Sequence, residues 1–364
     1  MADVGGVLRA GLDIGLLTNV RMGAEIATGV ALLADRRLSL PFEQPIPPAP
    51  RSSIPEAKQG RPATLLDLLE FPVEIVHPDE WEFLAEESVE VVDWAEIGDA
   101  VCICDRAIGR DDPQLLEFAN GRTRVLEPPS SDATVLEIRG RLLSFYSYFF
   151  HGRPATLRRL HAVIRGVRPR RPYVALGAAI AADLPWYNAV HLRRSDLTTG
   201  IPAYGDVTPE HIATNLASIL PVEQLLVVCS EVDGRDALFD PIRHRFPQVV
   251  FANDLILHDH GGPFFSLPRH EDNALGLVTQ EPATRASGFV GTIGSTFSAL
   301  IQRNRLLRDP NERFRYTADF TPDGPVFRDG EFVEIADGSY TWNRLRYAMS
   351  PDVLAWFREW PEAS

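Results

Sequence analysis

The sequence predicts an α/β protein with two domains, and three observations lead to that prediction. The chain has 364 residues, which is too long for one ordinary core and fits two domains of typical size. Strand-like and helix-like segments alternate in the second half, which is the pattern of a parallel sheet covered by helices. Near the N-terminus a strand, a glycine-containing turn and a helix also follow one another.

The first half opens with a short strand at residues 6–12, followed by a turn at 13–19 and a helix at 20–37. Apolar residues recur at helical spacing in the last of these segments, namely at Met22, Ile26, Val30 and Leu33. A second strand is predicted at residues 38–42. The order strand, loop, helix, strand is typical of the start of a Rossmann-like domain.

Residues 43–62 are rich in proline, which breaks helices and central strands, so we expect a surface loop there. Shorter mixed segments follow to residue 126, and the aromatic residues between 145 and 150 are expected in the core. A basic helix is predicted at 154–172, and its proline-arginine end near Arg168 is the expected connection between the domains. We therefore expect domains at 1–168 and 169–340 and a C-terminal closing helix at 341–364.

The second half shows the α/β alternation most plainly. Strands are predicted at 187–192, 224–230, 248–252 and 288–291, with helices from Pro209 to Leu220, from Arg235 to Phe246 and over 295–305. Ligands of open parallel sheets bind beyond the carboxyl ends of the strands. His191 to Asp196, Ser230 to Asp233 and Gly291 to Thr296 are therefore expected to converge on one crevice.

Composition excludes several classes of function. The net charge is −14 and the pI is about 5.1, whereas a protein that binds nucleic acid or an anionic membrane needs a positive surface. The three cysteines have no C-x-x-C spacing, so neither a disulfide framework nor a zinc site is expected. With no apolar leader or membrane span in the sequence, we expect a cytoplasmic protein. The chain has a single lysine, Lys58, among many arginines, which is typical of a GC-rich bacterial gene.

The first informative motif is HLRRSD at the end of a predicted strand, with His191, Arg193, Arg194 and Asp196. Two adjacent guanidinium groups repel each other and need anionic partners. Those partners are either a bound anion or carboxylates of the protein, such as Asp196, in surface ion pairs.

The second motif is GTIGSTF, in which Gly291 and Gly294 bracket a tight turn before a helix that opens at Ser295 or Thr296. The free backbone amides and the dipole of a helix start both attract anions such as phosphate. The alternative is an ordinary helix cap, in which the Ser295 hydroxyl accepts a hydrogen bond from a backbone N–H of the first helical turn and binds no ligand.

Taken together, AVHLRRSD and FVGTIGSTFSALIQRNR resemble two motifs of the GDP-fucose protein O-fucosyltransferase family, which includes the α1,6-fucosyltransferases among its relatives. A looser similarity lies in residues 15–41, where a glycine loop with an asparagine leads into a helix and then a strand that ends in proline. The resemblance implies a GT-B fold, in which two Rossmann-like domains face a cleft and the C-terminal helix crosses back.

The resemblance also implies an activity. Members of this family transfer fucose from GDP-fucose with inversion and without a metal ion or other cofactor. Arginine would then neutralise the leaving diphosphate through a bidentate, permanently charged group. The expected partners are a nucleotide-sugar donor and a glycan, small-molecule or peptide acceptor, with no nucleic acid and no membrane.

Carried onto this sequence, the family pattern makes Arg193 the catalytic group at the β-phosphate and the scissile bond. The other residues expected to bind the nucleotide sugar are Asn19, Arg21, His191, Arg194, Asp196, Gly294, Ser295, Thr296 and Phe297. Within this set, Asp196 would hold the loop, and Arg194 would contact phosphate or only brace Asp196.

The sequence departs from the family pattern at two places. Some relatives have a glutamate base before the asparagine, where this chain has Leu16 and Leu17, so no base is assigned; Glu25 is expected in an exposed salt bridge. Thr279 stands before Gln280 where the family usually has an aspartate for guanine recognition, so either Glu281 replaces it or the base differs. The alternatives are a glycosyltransferase for another nucleotide sugar and an inactive nucleotide-sugar-binding protein.

The sequence HDHGG at 258–262 offers two histidines at i and i+2 without a clear third ligand, and we expect no metal site there. The aromatic residues Tyr340 and Trp342 are expected to pack rather than to bind an acceptor.

Overall fold

The computed structural model describes residues 6–11, 16–41, 44–47, 52–76, 80, 89–93, 131–139, 165–194, 207–292, 295–309, 332–334 and 340–342. These residues group into two compact units. The first unit takes its described residues from 1–47 and 62–170, and the second takes them from 48–61 and 171–353. The chain therefore passes from the first unit to the second at two places, after Pro47 and after Arg170.

The first unit is built on a four-stranded parallel sheet of order β2-β1-β5-β4. A separate antiparallel pair joins β3 to β6. The elements of this unit are β1 (Val7–Ala10), α1 (Leu17–Leu33), β2 (Arg37–Ser39), α2 (Leu65–Leu68), β3 (Leu69–Glu70), β4 (Val89–Asp93), β5 (Val135–Arg139) and β6 (Arg168–Pro169). The parallel sheet confirms the predicted α/β class.

Helix α1 begins three residues earlier than the sequence predicted. It starts at Leu17, so Asn19 lies in its first turn rather than in the preceding loop. Val20, Met22, Ala24 and Val30 are buried along it, which means that the helix is covered on more than one face.

The second unit also has a four-stranded parallel sheet, of order β10-β7-β8-β9. Its strands are β7 (Tyr187–Leu192), β8 (Leu225–Ser230), β9 (Val249–Phe251) and β10 (Gly288–Val290), with a hairpin of β11 (Phe332–Glu334) and β12 (Tyr340–Trp342). Its helices are α3 (Arg171–Asp183), α4 (Pro209–Ile219), α5 (Asp240–Arg245), α6 (Ala252–Asp254), α7 (Gly261–Phe265), α8 (Asp272–Arg285) and α9 (Thr296–Arg308), and a π-helical turn covers Leu255–Asp259.

The chain order of this sheet reverses between β7 and β10. From β7 the chain adds β8 and then β9 on one side, and it returns to add β10 on the other side of β7. In open parallel sheets such a reversal leaves a crevice beyond the carboxyl ends of the two strands, where ligands bind. The four strands occur where the sequence predicted them. Of these, β7 and β8 are six-residue apolar runs that are buried along nearly their whole length.

Helices α3 and α8 were not predicted, and they pack closely against each other. A methyl group on Gly177 of α3 would lie 2.5 Å from the Cβ atom of Glu281 and 2.7 Å from the carbonyl oxygen of Val278, so only glycine allows this contact. Helix α8 shows no regular apolar spacing in the sequence, because it buries polar residues such as Asn273 and Thr284 and contains Pro282.

The predicted surface loop at 43–62 is more ordered than its proline content suggested, because residues 52–61 form part of the second unit. The Ser52 hydroxyl donates to the Asp272 carboxylate at 2.8 Å, and the Asn253 side-chain amide donates to the Ser53 hydroxyl at 2.8 Å. The Lys58 ammonium group lies 5.1 Å from the centre of the Phe265 ring. A 3-10 turn at Glu56–Lys58 completes the segment.

Three further predictions need correction or lie outside the described residues. The basic helix predicted to run through 154–172 does not continue to its end, since Arg168–Pro169 is a strand and a new helix begins at Arg171. The closing helix predicted from residue 341 cannot include Tyr340–Trp342, which is strand β12. The rest of that helix and the aromatic residues at 145–150 lie outside the described residues, and the relative placement of the two domains stays a prediction.

Candidate functional site

The candidate site lies in the second unit, where β7 and β10 end side by side. Backbone pairing between these strands stops at Val190 and Val290. Beyond that pair the chain presents His191, Arg193 and Arg194 on one side and Thr292 on the other. The predicted convergence of the strand ends is confirmed for these residues and for Glu231, which accepts the Arg194 amide at 2.6 Å.

Thr292 continues the pairing of the two strands with its side chain. Its hydroxyl donates to the His191 carbonyl at 2.8 Å and accepts the backbone N–H of Arg193 at 3.0 Å. Both of these backbone groups lie on the edge of β7 that faces β10. The Thr292 hydroxyl thus fixes the backbone from His191 to Arg193.

His191 is buried and faces the start of helix α9. Its Nδ1 atom lies 2.7 Å from the hydroxyl of Ser298, and its ring packs on Phe297 with the two centroids 4.6 Å apart. Burial, with the nearby positive charge of Arg193 as a second cause, lowers the pKa of His191 to about 3. The imidazole is therefore neutral near pH 7, and it supports the site through packing and one hydrogen bond.

Contacts to other residues hold Arg194, the second arginine of the motif. The Arg194 guanidinium donates to the carbonyl of Val207 at 2.9 Å, and burial lowers its pKa while the charge of Glu231 opposes that shift. Arg194 is therefore engaged by groups of the protein itself. Asp196 and Gly294 lie outside the described residues, so both predicted roles of Arg194, the phosphate contact and the bracing of Asp196, stay predictions.

Helix α9 begins at Thr296, with Ser295 in the capping position. Ser295 is only 1% exposed, yet its hydroxyl has no hydrogen-bond partner among the described residues and makes no cap contact with the helix. Thr208, by comparison, caps α4 by accepting the His211 amide. The alternative that Ser295 is an ordinary cap is therefore wrong for the described part of the chain, and a buried hydroxyl at a helix start is left available for an anion.

The residues considered for base recognition lie on α8. Thr279 and Gln280 are buried, and Thr279 Oγ1 and Gln280 Oε1 have no partner among the described residues. Glu281 instead accepts a hydrogen bond from Arg285 one turn along the helix, at 2.6 Å. The Glu281 carboxylate is thus engaged in an ion pair, whereas the side-chain Oε1 atom of Gln280 has no hydrogen-bond partner among the described residues.

In the first unit, Asn19 has a buried side-chain oxygen without a partner in the described residues. Its role toward the donor stays a prediction. Arg21 is 3% exposed and donates to Glu25 at 3.2 Å and to the Val167 carbonyl at 3.0 Å. The predicted exposed salt bridge of Glu25 is therefore wrong, because Glu25 is 1% exposed. The pair gives Arg21 a structural contact, and its contact with the donor stays a prediction.

Several other predictions concern metals and membranes. Within the described ranges no group of three His, Cys, Asp or Glu side chains is close enough to hold a metal ion. His258 and His260 lie 3.8 Å from Asp254 and Asp183 respectively, so each has a carboxylate of its own. No helix in the described part of the chain has the length and apolar character needed to cross a membrane.

Thr292 and Glu231 lie in segments that the sequence predicted at the crevice, but sequence reasoning gave neither of them a role, and it did not include Ser298. Thr292 and Glu231 bind the backbone of predicted site residues, and Ser298 binds the His191 side chain. Thr292 lies inside the quoted glycine motif, and Ser298 lies three residues after Ser295, but small hydroxyl residues are common near any helix start. Only the pairing of β7 with β10 shows which hydroxyl groups face the arginine segment.

No protein-family model and no curated protein matches the chain. Solved structures do match it at low identity. The fucosyltransferase NodZ from Bradyrhizobium is 14% identical with a TM-score of 0.44, and the match covers 85% of this chain and 95% of that one. POFUT1 in complex with GDP is 13% identical with a TM-score of 0.49, covering 87% and 100%. An Arabidopsis thaliana FUT1 variant in complex with GDP is 11% identical with a TM-score of 0.46, covering 84% and 70%.

Proposed function

We propose that the protein is an inverting, metal-independent glycosyltransferase whose donor is a nucleotide sugar, with GDP-fucose as the expected donor. One observation supports the proposal best. The Arg193 amide is bound by Thr292, which lies three residues before the buried Ser295 hydroxyl at the start of α9. A guanidinium group and a helix N-terminus each favour a diphosphate, because both supply positive charge and N–H donors.

The proposed reaction uses Arg193 as the catalytic group. An acceptor hydroxyl attacks the anomeric carbon on the face opposite the diphosphate, and the bond from that carbon to the β-phosphate oxygen breaks. The bonding electrons leave with the diphosphate, whose growing negative charge Arg193 stabilises. The acceptor loses its proton to a base that is unassigned, because Leu16 and Leu17 stand where some relatives have a glutamate.

The remaining roles follow from the local geometry. Ser295 and Thr296 would donate hydroxyl or backbone hydrogen bonds to phosphate oxygens. Phe297 and His191 would form the packed wall behind them, since their rings are in contact. Gln280 is proposed to accept from the nucleobase, because its buried oxygen has no partner within the described residues.

The proposal is tested by mixing the protein with nucleotide sugars and measuring release of the nucleoside diphosphate. We expect slow hydrolysis or transfer with GDP-fucose, unchanged by EDTA and little increased by magnesium or manganese. Strict dependence on either ion would contradict the metal-independent scheme. The acceptor is expected to be a glycan, a small molecule or a peptide, and its identity requires a screen with the confirmed donor.

The identity of the base is tested separately with a panel of GDP, UDP, dTDP and ADP. A ligand that binds only the folded state raises the melting temperature. A shift with one diphosphate identifies the base, and no shift with any of them would contradict the donor site.

An inactive nucleotide-sugar-binding protein is the second candidate, and the observation that favours it is the pair Leu16 and Leu17 in place of a glutamate. Binding without release of diphosphate from any donor would support this candidate.

A further inference from the structure

We propose that Thr292 is a positioning residue for Arg193, acting through a closed set of hydrogen bonds that joins the ends of β7 and β10 to helix α9. The inference rests on the proposed function and adds to it a role for a residue to which the sequence motifs assign none. It is carried by four contacts, of which three are buried and the fourth, at the Arg193 amide, is part-buried.

The first two contacts involve the Thr292 hydroxyl. It donates to the carbonyl of His191 and accepts the N–H of Arg193, at 2.8 and 3.0 Å. A hydroxyl has one hydrogen to donate and lone pairs to accept with, so this group is well matched to a carbonyl and an amide on the same strand edge. It fixes the backbone on both sides of Leu192.

The other two contacts link Thr292 and His191 to helix α9. The Thr292 amide donates to the Ser298 hydroxyl at 2.9 Å, and the same Ser298 hydroxyl lies 2.7 Å from Nδ1 of His191. Thr292, Ser298 and His191 therefore form a ring of contacts in which each residue touches the other two. Thr292 is 4% exposed and Ser298 is fully buried, so water does not compete for these bonds.

The described ladder between β7 and β10 ends at the pair Val190 and Val290, and the Thr292 side chain binds the chain just beyond it. Without the Thr292 side chain, the carbonyl of His191 and the amide of Arg193 would lose their hydrogen bonds to the neighbouring strand. Gly291 is needed for the close approach, since a Cβ atom there would lie 2.8 Å from Cβ of Ser298.

The consequence concerns rate more than binding. A guanidinium group that must meet charge developing in the transition state loses effect when its backbone shifts, and a displacement of about 1 Å can cost about a hundredfold in rate. Contacts of a ground-state diphosphate with the start of α9 do not depend on the Arg193 amide. Loss of the Thr292 hydroxyl should therefore lower kcat and leave KM for the donor nearly unchanged.

The test compares Thr292→Val, which keeps the shape and removes the hydroxyl, with Thr292→Ser, which keeps the hydroxyl. Thr284→Val is the matched control, because Thr284 is also a buried threonine of the second unit and its hydroxyl donates to the backbone carbonyl of Gln280 one turn earlier on α8. We expect Thr292→Val to lower kcat by about tenfold to a hundredfold with KM changed less than about threefold. Thr292→Ser should restore kcat, and Thr284→Val should keep it.

Amide hydrogen exchange gives a readout that does not require activity. The Arg193 amide should exchange at least about tenfold faster in Thr292→Val than in Thr292→Ser, because its acceptor has been removed. If Thr292→Val does not fold, Thr292→Ala takes its place with the same expectations.

The outcomes separate the inference from the proposed function. A folded Thr292→Val protein with normal kcat, or with normal protection of the Arg193 amide, would overturn the positioning role while the proposed function stands. A wild-type protein that releases no diphosphate from any nucleotide sugar would remove the proposed function and, with it, the inference. Faster exchange together with a selective loss of kcat would support both.

Discussion

The Nδ1 atom of His191 lies 2.7 Å from the hydroxyl of Ser298, and both side chains are buried where strand β7 meets helix α9. The family resemblance implies that His191 contacts the nucleotide. In the structure the Nδ1 atom of His191 is hydrogen-bonded to Ser298 and its ring packs on Phe297. One nitrogen and one face of the imidazole therefore contact other residues of the protein.

The first prediction follows from the protonation state of His191. Its pKa is lowered from 6.5 to about 3, mainly by burial. As pH falls below about 6.5 the unfolded chain binds a proton at this residue and the folded protein does not, so stability is lost progressively until about pH 3. The loss approaches about 1.4 kcal/mol per pH unit in that window.

The measurement is thermal unfolding of the wild type and His191→Asn between pH 7 and pH 4.5. Asparagine does not titrate and can still bond Ser298. The melting temperature of the wild type should fall faster with decreasing pH than that of the variant. Parallel curves would show that His191 takes up a proton in the folded state as readily as in the unfolded chain.

The second prediction separates an anion-binding hydroxyl from a helix cap. Ser295→Ala should weaken nucleotide binding by about tenfold to a hundredfold, since one hydrogen bond to a charged group contributes roughly 1.5–3 kcal/mol. It should not lower the melting temperature of the free protein, because the Ser295 hydroxyl has no partner to lose within the described residues. Thr296→Ala should weaken binding by a similar amount.

Thr208→Ala is the matched control for this prediction. Thr208 caps α4 through the His211 amide, so its loss should destabilise the protein by about 1 kcal/mol without affecting the nucleotide. Should Ser295→Ala lose stability like Thr208→Ala and keep its affinity, Ser295 would be structural only.

The third prediction concerns the buried pair in the first unit. Glu25→Ala should destabilise the protein by about 3–5 kcal/mol, because it leaves the Arg21 guanidinium buried without its carboxylate. The double variant Arg21→Met and Glu25→Leu should recover much of that loss, since apolar residues of similar size can replace a buried ion pair. Melting temperatures of the three proteins provide the measurement.

The same double variant also tests the role of Arg21. If Arg21 only supports the first unit, nucleotide affinity in the double variant equals that of the wild type. A loss of affinity in a protein that melts normally would return Arg21 to the donor site.

The strands of the second unit were predictable because fully buried parallel strands are continuous apolar segments. Residues 187–192 and 225–230 show this, and the polar residues that follow them mark the carboxyl edge. Helix α8 was not predictable in the same way. It is covered on several sides, buries Thr279 and Gln280, and contains Pro282, so no apolar stripe of period 3.6 is visible.

The candidate site was predicted in part for a related reason. Arg193 and Ser295 stand next to recognisable strand ends and glycine turns, so local patterns indicate them. Thr292 meets Arg193 across 99 positions of sequence, and that contact exists only because β10 returns to pair with β7. The pairing of strands distant in sequence is a tertiary property, and a single sequence does not specify it.

The last prediction concerns Arg193, which follows directly after a fully buried strand and whose amide is fixed by Thr292. Its charge is most useful when the leaving diphosphate becomes more negative, so replacing it should reduce rate more than binding. Arg193→Ala should lower kcat by at least about a hundredfold, which is the effect of removing one preorganised electrostatic donor. Arg193→Lys should restore little, because an ammonium group cannot form the bidentate contact of a guanidinium.

Arg194→Ala is the matched comparison, because Arg194 is the adjacent residue and its guanidinium is engaged by the Val207 carbonyl and lies near Glu231. It should lower the melting temperature and reduce kcat by less than Arg193→Ala does. Steady-state kinetics on the folded variants with the confirmed donor decides between them. A nearly normal kcat for Arg193→Ala would contradict the assignment. A larger loss for Arg194→Ala, in a protein that remains folded, would transfer the catalytic role to Arg194. Its contact with the Val207 carbonyl would then have to break when the diphosphate binds.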